Sequence, residues 1–324
     1  MKTIDTMKIL VAPLNWGLGH ASRCVVLVRR FIEEGHEVIL GADGDSLTLL
    51  RQHFPKLRYV YLAPLNLQYS KGKRQVWAMV KALPKLLVWA IKDHAMLAAV
   101  LRDEKIDRVV SDNRFGLYNA ATESIYMTHQ LHIFLPRGWR WLEAASERLH
   151  ARVYRHFDKV WVPDYADKEK SLAGELSHPK EVSEKVEYIG PLSRLSLEVG
   201  SMLARKRTDN GPITAVLSGL EPQRSMLEQE IVARYQNTEE QVLIVQGLPS
   251  RPNTRIKRRN ITIVPHMDDE ALATALLDAK QIIARSGYST IMDLEALGVL
   301  DKAELIPTPG QPEQEYLALL LRKK

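Results

Sequence analysis

Short apolar, β-branched runs alternate along the whole chain with longer stretches of helical periodicity, the pattern left by parallel βα units whose sheet is covered on both faces. In the first half this pattern predicts strands over Lys8–Pro13, Glu37–Gly41, Leu57–Leu62, Arg108–Ser111, Ile125–Thr128 and Lys159–Val162. Helices are expected over Ala21–Glu34, Ser46–His53, Arg74–Arg102, Leu142–Phe157 and Ala166–Ala173, with Gly35 as a left-handed cap and Pro84 starting or kinking the third helix. The rhythm lapses between Gly190 and Pro212, then resumes with strands over Ile213–Ser218, Gln241–Gln246, Ile261–Val264, Gln281–Ala284 and Ala303–Ile306. Helices over Arg224–Tyr235, Asp269–Leu277, Ser289–Leu297 and Gln311–Leu321 complete the second half. The expectation is an α/β fold of two facing, Rossmann-like, doubly wound domains: residues 1–190, a linker over 191–212, and residues 213–324.

Composition narrows the class. The 324 residues are enough for two packed cores. A single cysteine, Cys24, allows no internal disulfide, so a reduced cytoplasmic setting is expected. No apolar run approaches the ~20 residues of a membrane span, and no signal-peptide core precedes the first strand.

The net charge of +6 is small, but its placement is uneven. Arg51 to Arg108 holds 12 Lys and Arg against 4 Asp and Glu. Within it, Arg74, Lys81, Lys85 and Lys92 alternate with Trp77, Leu86, Leu87 and Trp89, and Arg148, Arg152, Arg155 and Lys159 form a second stripe after Trp139 and Trp141. Such helices either lie on an anionic membrane surface or pack against a core with their lysines solvated. A further cluster, Arg251, Arg255, Lys257, Arg258 and Arg259, reads as an exposed loop; with no nucleic-acid motif beside it, no nucleic-acid partner is expected.

Loops that follow strands carry the chemistry. Asn15, Gly17, Gly19 and His20 lie between the first strand and first helix, where glycines either make a tight turn or admit a phosphate or sugar oxygen to a helix N-terminus. His20 is placed to take a proton from a hydroxyl. Asp43, at the end of the second strand, makes a dinucleotide site the competitor, although Ser22 stands where a third glycine belongs and Trp16 fills the loop. Asp112 follows an apolar strand and is an alternative base, an orienter of a histidine, or a helix cap. Toward the C-terminus, Arg285, Ser286 and Gly287 link a strand to a helix that Ser289 and Thr290 are suited to cap, with Asp293 one turn further on. The next such turn holds Gln311, Gln314 and Glu315, groups that suit sugar hydroxyls.

Together these segments resemble the nucleotide-sugar glycosyltransferases of the GT-B fold, and within them the family 28 group that includes the lipid-linked N-acetylglucosaminyltransferase of peptidoglycan synthesis. The resemblance implies an acceptor-binding first domain, a donor-binding second domain, and inverting, metal-independent transfer in the cleft between them. A UDP-sugar is then the donor substrate, no cofactor is needed, and the acceptor is a glycan or lipid-linked molecule met at the inner face of a membrane. By motif, Asp293 takes the position of the ribose-binding acid, Ser286 and Gly287 that of the diphosphate turn, Gln314 and Glu315 that of the sugar-holding pair, and His266 and Met267 that of the segment at the uracil edge. His20 matches the histidine of the N-terminal glycine loop, and Thr128-His129-Gln130 resembles a His-Glu-Gln segment of the acceptor domain. The sequence departs from the pattern at Ser218–Arg224, where Gly219 is alone in the turn and Arg224 is a candidate phosphate partner beside Arg285, and near Lys324, where little chain remains for a closing helix. A nucleotide-sugar-binding protein without catalysis is the alternative reading.

Overall fold

The computed structural model describes residues 5–65, 75–196, 207–219, 221–252 and 254–322. The chain divides into two compact units, one of Met1–Asn15 and His20–Leu192, the other of Trp16–Gly19 and Ser193–Lys324.

Seven parallel strands form the sheet of the first unit: β1 (Lys8–Pro13), β2 (Glu37–Ala42), β3 (Tyr59–Tyr61), β4 (Arg108–Asp112), β5 (Glu123–Met127), β6 (Lys159–Val162) and β7 (Val186–Tyr188), in the order β3-β2-β1-β4-β5-β6-β7. A parallel strand covered on both faces is apolar throughout, and Ile9, Leu10, Val11 and Ala12 of β1 are each at most 1% exposed. The helices are α1 (Leu18–Glu33), α2 (Gly44–His53), α3 (Gln75–Asp103) and α4 (Glu143–Tyr154). As the sequence predicts, α1 ends at a left-handed Gly35 (φ 85°), whose N–H donates to Ile32 O at 3.0 Å while His36 N donates to Phe31 O at 2.9 Å.

One expected helix is absent from this unit. Residues 166–173 form turns and no α-helix, because Asp164 captures the backbone: its carboxylate accepts from Leu172 N at 2.9 Å, Ala173 N at 3.1 Å, Ser171 Oγ at 2.6 Å and Ser177 Oγ at 2.7 Å. Of the two readings open for the basic, tryptophan-containing helix, Trp89 follows the core-packed one: it is 4% exposed and donates its Nε1–H to Ala63 O at 2.9 Å. The outer face of α3 is instead Leu87, Val88 and Ile91, between exposed Lys85 and Lys92. Trp77 and Lys81 lie among residues whose side chains are outside the description.

The second unit is a six-stranded sheet ordered β10-β11-β9-β8-β12-β13, built from β8 (Gly211–Val216), β9 (Val242–Val245), β10 (Ile256–Arg258), β11 (Ile261–Val264), β12 (Ala279–Arg285) and β13 (Ala303–Ile306). Its helices are α5 (Gln223–Tyr235), α6 (Asp269–Asp278), α7 (Tyr288–Ala296) and α8 (Pro312–Leu321). All neighbours are parallel except β10, which runs antiparallel to β11. The basic cluster read as a loop thus contains an edge strand, and its exposed cations suit an edge, where charge discourages pairing with another chain. Among the described residues no helix is long and apolar enough to cross a membrane.

Candidate active site

Ligands of open parallel sheets gather beyond the carboxyl ends of the strands, where the strand order reverses. In the first unit that point lies between β1 and β4, whose ends are in register at Pro13 and Asp112. Gly17 follows at φ 85°, a conformation that a side chain would strain, and lets the chain turn into α1 with His20 in its first helical turn.

His20 Nδ1 lies 2.9 Å from Asp112 Oδ1, so the two candidates for the base are partners. The imidazole is 16% exposed and the carboxylate fully buried. Arg23, one turn after His20 on the same helix face, donates Nε–H to Asp112 Oδ2 at 2.7 Å and Nη2–H to Oδ1. Burial alone would push the Asp112 carboxyl up, but the charges of Arg23 and His20 and the hydrogen bonds from both hold it well below the usual carboxylate range. Cys24 Sγ is 3.7 Å from Asp112 Oδ2, and Arg23 Nη1 is 3.4 Å from His129 Nδ1. The segment Thr128–Gln130 thereby meets the dyad through Arg23. Asn113, next to Asp112, is held at φ 57° with its Oδ1 accepting from the buried Tyr126 hydroxyl at 2.9 Å.

Asn15 has a different task. Its Nδ2 donates to Asp43 Oδ1 at 2.8 Å, and its Oδ1 accepts from Ser46 Oγ at 3.1 Å. Gly44 is required beneath it, at φ 52°, where a Cβ would run into Asn15 Nδ2. Asp43 also meets Arg114 at 3.2 Å and is 1% exposed, so the acid that a dinucleotide site requires is spent inside the protein. Arg114 itself, fully buried, donates to Asp93 at 3.0 and 2.8 Å and stacks over the Trp89 ring at 4.9 Å.

In the second unit the order reverses between β8 and β12, which brings Gly219 and the Arg285–Gly287 turn to the same edge. Gly219 has φ 92°. The helix after β12 begins at Tyr288, earlier than expected, so Ser289 and Thr290 fall inside its first turn. Gly287 is the N-cap and makes no side-chain cap bond, so the positive end of the helix dipole lies at this turn. Asp293 accepts from Ser193 Oγ at 2.5 Å, and its carboxyl is pushed up to about 6 by burial, against the opposing charge of Arg194 and the Ser193 hydrogen bond. Arg194 pairs with Asp269 at 2.8 Å.

Neither arginine expected at the phosphates is free. Arg224, 4% exposed, donates Nε–H to Glu221 at 2.8 Å and Nη1–H to Glu228 at 2.9 Å, so two carboxylates offset its charge. Arg285 donates to the carbonyl oxygens of Pro307 at 3.1 Å and Gln223 at 3.0 Å, where it buttresses the turn. Ser286 is fully buried and donates its hydroxyl to Gln314 O at 2.8 Å; Gln314 Oε1 in turn accepts from Thr308 N at 2.9 Å. That leaves Gly287 and exposed Glu315 on the outer side of this framework, Gln311 as the N-cap of α8, and half-buried His266 and Met267 just before α6. Among the described residues, no group of three His, Cys, Asp or Glu side chains is placed to hold a metal ion.

No family model matches the chain. A protein of Methanosarcina mazei named an uncharacterized glycosyltransferase is 25% identical over 329 residues, covering 98% of this chain and 84% of its own length. A protein of the same name from Methanosarcina acetivorans is 23% identical over the same shares. Among solved structures, CalG4, the calicheamicin glycosyltransferase, superposes with a TM-score of 0.61 at 13% identity over 98% of this chain and 84% of that one. Phytolacca americana UGT2, in complex with UDP-2-fluoro-glucose and pterostilbene, gives 0.57 at 14% identity over 98% and 84%. MurG of Acinetobacter baumannii gives 0.51 at 13% identity over 96% and 82%. The two doubly wound α/β units are thus those of the GT-B fold.

Proposed function

We propose that the protein is a glycosyltransferase that moves a sugar from a UDP-sugar to an acceptor hydroxyl, with inversion and without a metal ion. The observation that carries this reading is the His20–Asp112 pair, 2.9 Å apart at the switch point of the first sheet, in a chain similar over 98% of its length to a protein named a glycosyltransferase. Asp112 orients the ring by accepting from Nδ1–H, which leaves the Nε2 lone pair as the base. As Nε2 takes the hydroxyl proton, the oxygen forms its bond to the anomeric carbon, and the bond from that carbon to the nucleotide's phosphate oxygen breaks. UDP leaves with the electron pair. The negative charge on the leaving diphosphate is met by the backbone amides of Ser286 and Gly287, just before the N-terminus of α7, with Asp293 on the ribose hydroxyls and His266 and Met267 at the uracil edge. Gln311, Gln314 and Glu315 address the sugar, while Gly219 clears space beside the phosphates.

A lipid-linked or cell-envelope glycan is the acceptor this reading favours, and the likeness to the family 28 group belongs with it. Its support is the outer face of α3, where Leu87 is 66%, Val88 53% and Ile91 68% exposed between two lysines. Such a surface suits peripheral contact with the inner, anionic face of a membrane from the cytoplasm.

The test is a panel of UDP-sugars, read first by ligand-induced stabilisation and then by UDP release with a range of acceptors. Stabilisation by one UDP-sugar with acceptor-dependent release is the expected result. Stabilisation without release over a broad acceptor panel would favour the non-catalytic binding protein, and no stabilisation by any UDP-sugar would remove the donor assignment.

A further inference from the structure

His20 Nδ1, Asp112 Oδ1 and Arg23 Nη2 form a closed triangle: Nδ1 is 2.9 Å from the carboxylate oxygen and 2.9 Å from the guanidinium nitrogen, and the third side is the Arg23–Asp112 hydrogen bond. One nitrogen cannot serve both neighbours. With a hydrogen it donates to Asp112; bare, it accepts from Arg23. A base must also be unprotonated before it acts, and a buried carboxylate facing an imidazole alone would hold a second proton on the ring by simple attraction.

We propose that Arg23 is a positioning residue that keeps the His20 ring neutral in the resting enzyme, by cancelling the charge of Asp112 while its fork fixes Oδ1 against Nδ1. The proposal rests on the reading of His20 as the base. Three features of the structure carry it. Arg23 is 1% exposed, so its permanent charge acts with little screening. Its contact with Asp112 is two-pronged, through Nε and Nη2, which fixes the rotation of the carboxylate. It also lies on the Nδ1 side of the ring, within 2.9 Å, where a second proton on His20 would bring two cations together. The charged and titratable groups that face this triangle include Arg23 and Cys24 from α1, Asp112 from β4, His129 after β5, which faces Arg23 Nη1 at 3.4 Å, and Tyr126 of β5, whose hydroxyl burial and the Asp112 charge push up and so keep neutral. Asp112 is the anion among these groups.

The test compares wild type with Arg23→Gln and Arg23→Lys in the full chain. One readout is kcat/KM at pH 6 and pH 8.5 with the active UDP-sugar; the other is the 15N signal of His20, assigned by its loss in His20→Ala. Arg23→Gln is expected to lose about tenfold more activity at pH 6 than at pH 8.5, the equivalent of a one-unit move in the acid limb. UDP affinity should stay unchanged, and the His20 ring should become an imidazolium at neutral pH. Arg23→Lys, which keeps the charge and loses the fork, should restore most of the pH 6 activity. Equal loss at both pH values with unchanged His20 nitrogen signals would overturn the proposal. If Arg23→Gln does not fold, wild type alone decides: an imidazolium on His20 at pH 7 overturns it, and a neutral ring bearing its hydrogen on Nδ1 supports it. The nitrogen signal needs no substrate, so a wrong base assignment, seen as retained activity in His20→Ala, and a wrong donor assignment, seen as no stabilisation by any UDP-sugar, both stay separate from this outcome.

Discussion

Ser193 donates its hydroxyl to Asp293 Oδ1 at 2.5 Å and is a hydrogen-bond partner of a carboxyl that burial pushes up to about 6. Between the ordinary value of 3.8 and this raised one, the folded state holds more proton than the unfolded chain, so stability falls as pH rises across that window. Above it the cost is complete, of order 1–3 kcal/mol. Asp293→Asn should therefore raise the unfolding free energy of the protein by that amount at pH 8 and by much less at pH 4, while weakening UDP binding. Denaturant melts at the two pH values check the first half, and a pH-independent gain would refute it; an unchanged UDP dissociation constant would refute the ribose assignment.

His20→Ala should abolish transfer and leave UDP binding nearly intact, since the ring is assigned to the acceptor hydroxyl alone. Asp112→Asn should do more. It removes the acceptor that selects the Nδ1–H tautomer, a change worth up to ~10⁴ in kcat in serine-protease triads, and it leaves Arg23 buried without its counterion at about 3–5 kcal/mol. Asp112→Asn should thus lower the melting temperature as well as kcat, whereas His20→Ala should lower kcat alone. Equal loss of transfer and UDP binding in His20→Ala would take it out of the catalytic role.

Arg114 joins β4 to α3 and the end of β2 through Asp93 and Asp43. Arg114→Met leaves two buried carboxylates without a cation and should cost about 3–5 kcal/mol. Adding Asp43→Asn and Asp93→Asn to that variant should recover much of the loss, because the desolvated charges go with their partner. A triple variant no more stable than the single one, measured by denaturant melts, would show that the node acts through shape alone.

If α3 meets an anionic membrane, Lys85→Glu with Lys92→Glu should lower binding to phosphatidylglycerol vesicles by at least about thirtyfold, since each cation contributes about 1 kcal/mol near such a surface. Leu87→Ser with Ile91→Ser should lower binding to neutral and anionic vesicles alike. Cosedimentation that ignores both changes would remove the membrane from the proposal.

Much of this frame is legible in the chain, and its gaps have physical causes. Buried parallel strands must be apolar runs, so β1, β4, β8 and β12 declare themselves, and with them both switch points. The three-residue edge strands Val186–Tyr188 and Ile256–Arg258 are too short and too polar to show a period, and hydrogen bonding to one neighbour defines them. The turns at 166–173 look helical because propensity does not register a competing acceptor such as Asp164. Among the functional groups, His20 stands in the first helical turn after a glycine loop and Asp112 at a strand end, places where a polar residue is conspicuous. Arg23 and Arg114 escape because basic residues are ordinarily read as surface. The available signal for Arg23 was its setting, a lone cation in Ala21–Val28 on the apolar side of α1, one turn from His20.

The chain's single thiol lies behind that dyad. Burial and the neighbouring Asp112 charge keep Cys24 well above the usual thiol range, so it remains protonated and unreactive while α1 is seated on β4. Its alkylation rate in native buffer is then a clock for a local event, the lifting of the helix that carries His20. The ratio of that rate to the rate in denaturant gives the free energy of opening at this one place in the protein, with no substitution needed to introduce a reporter.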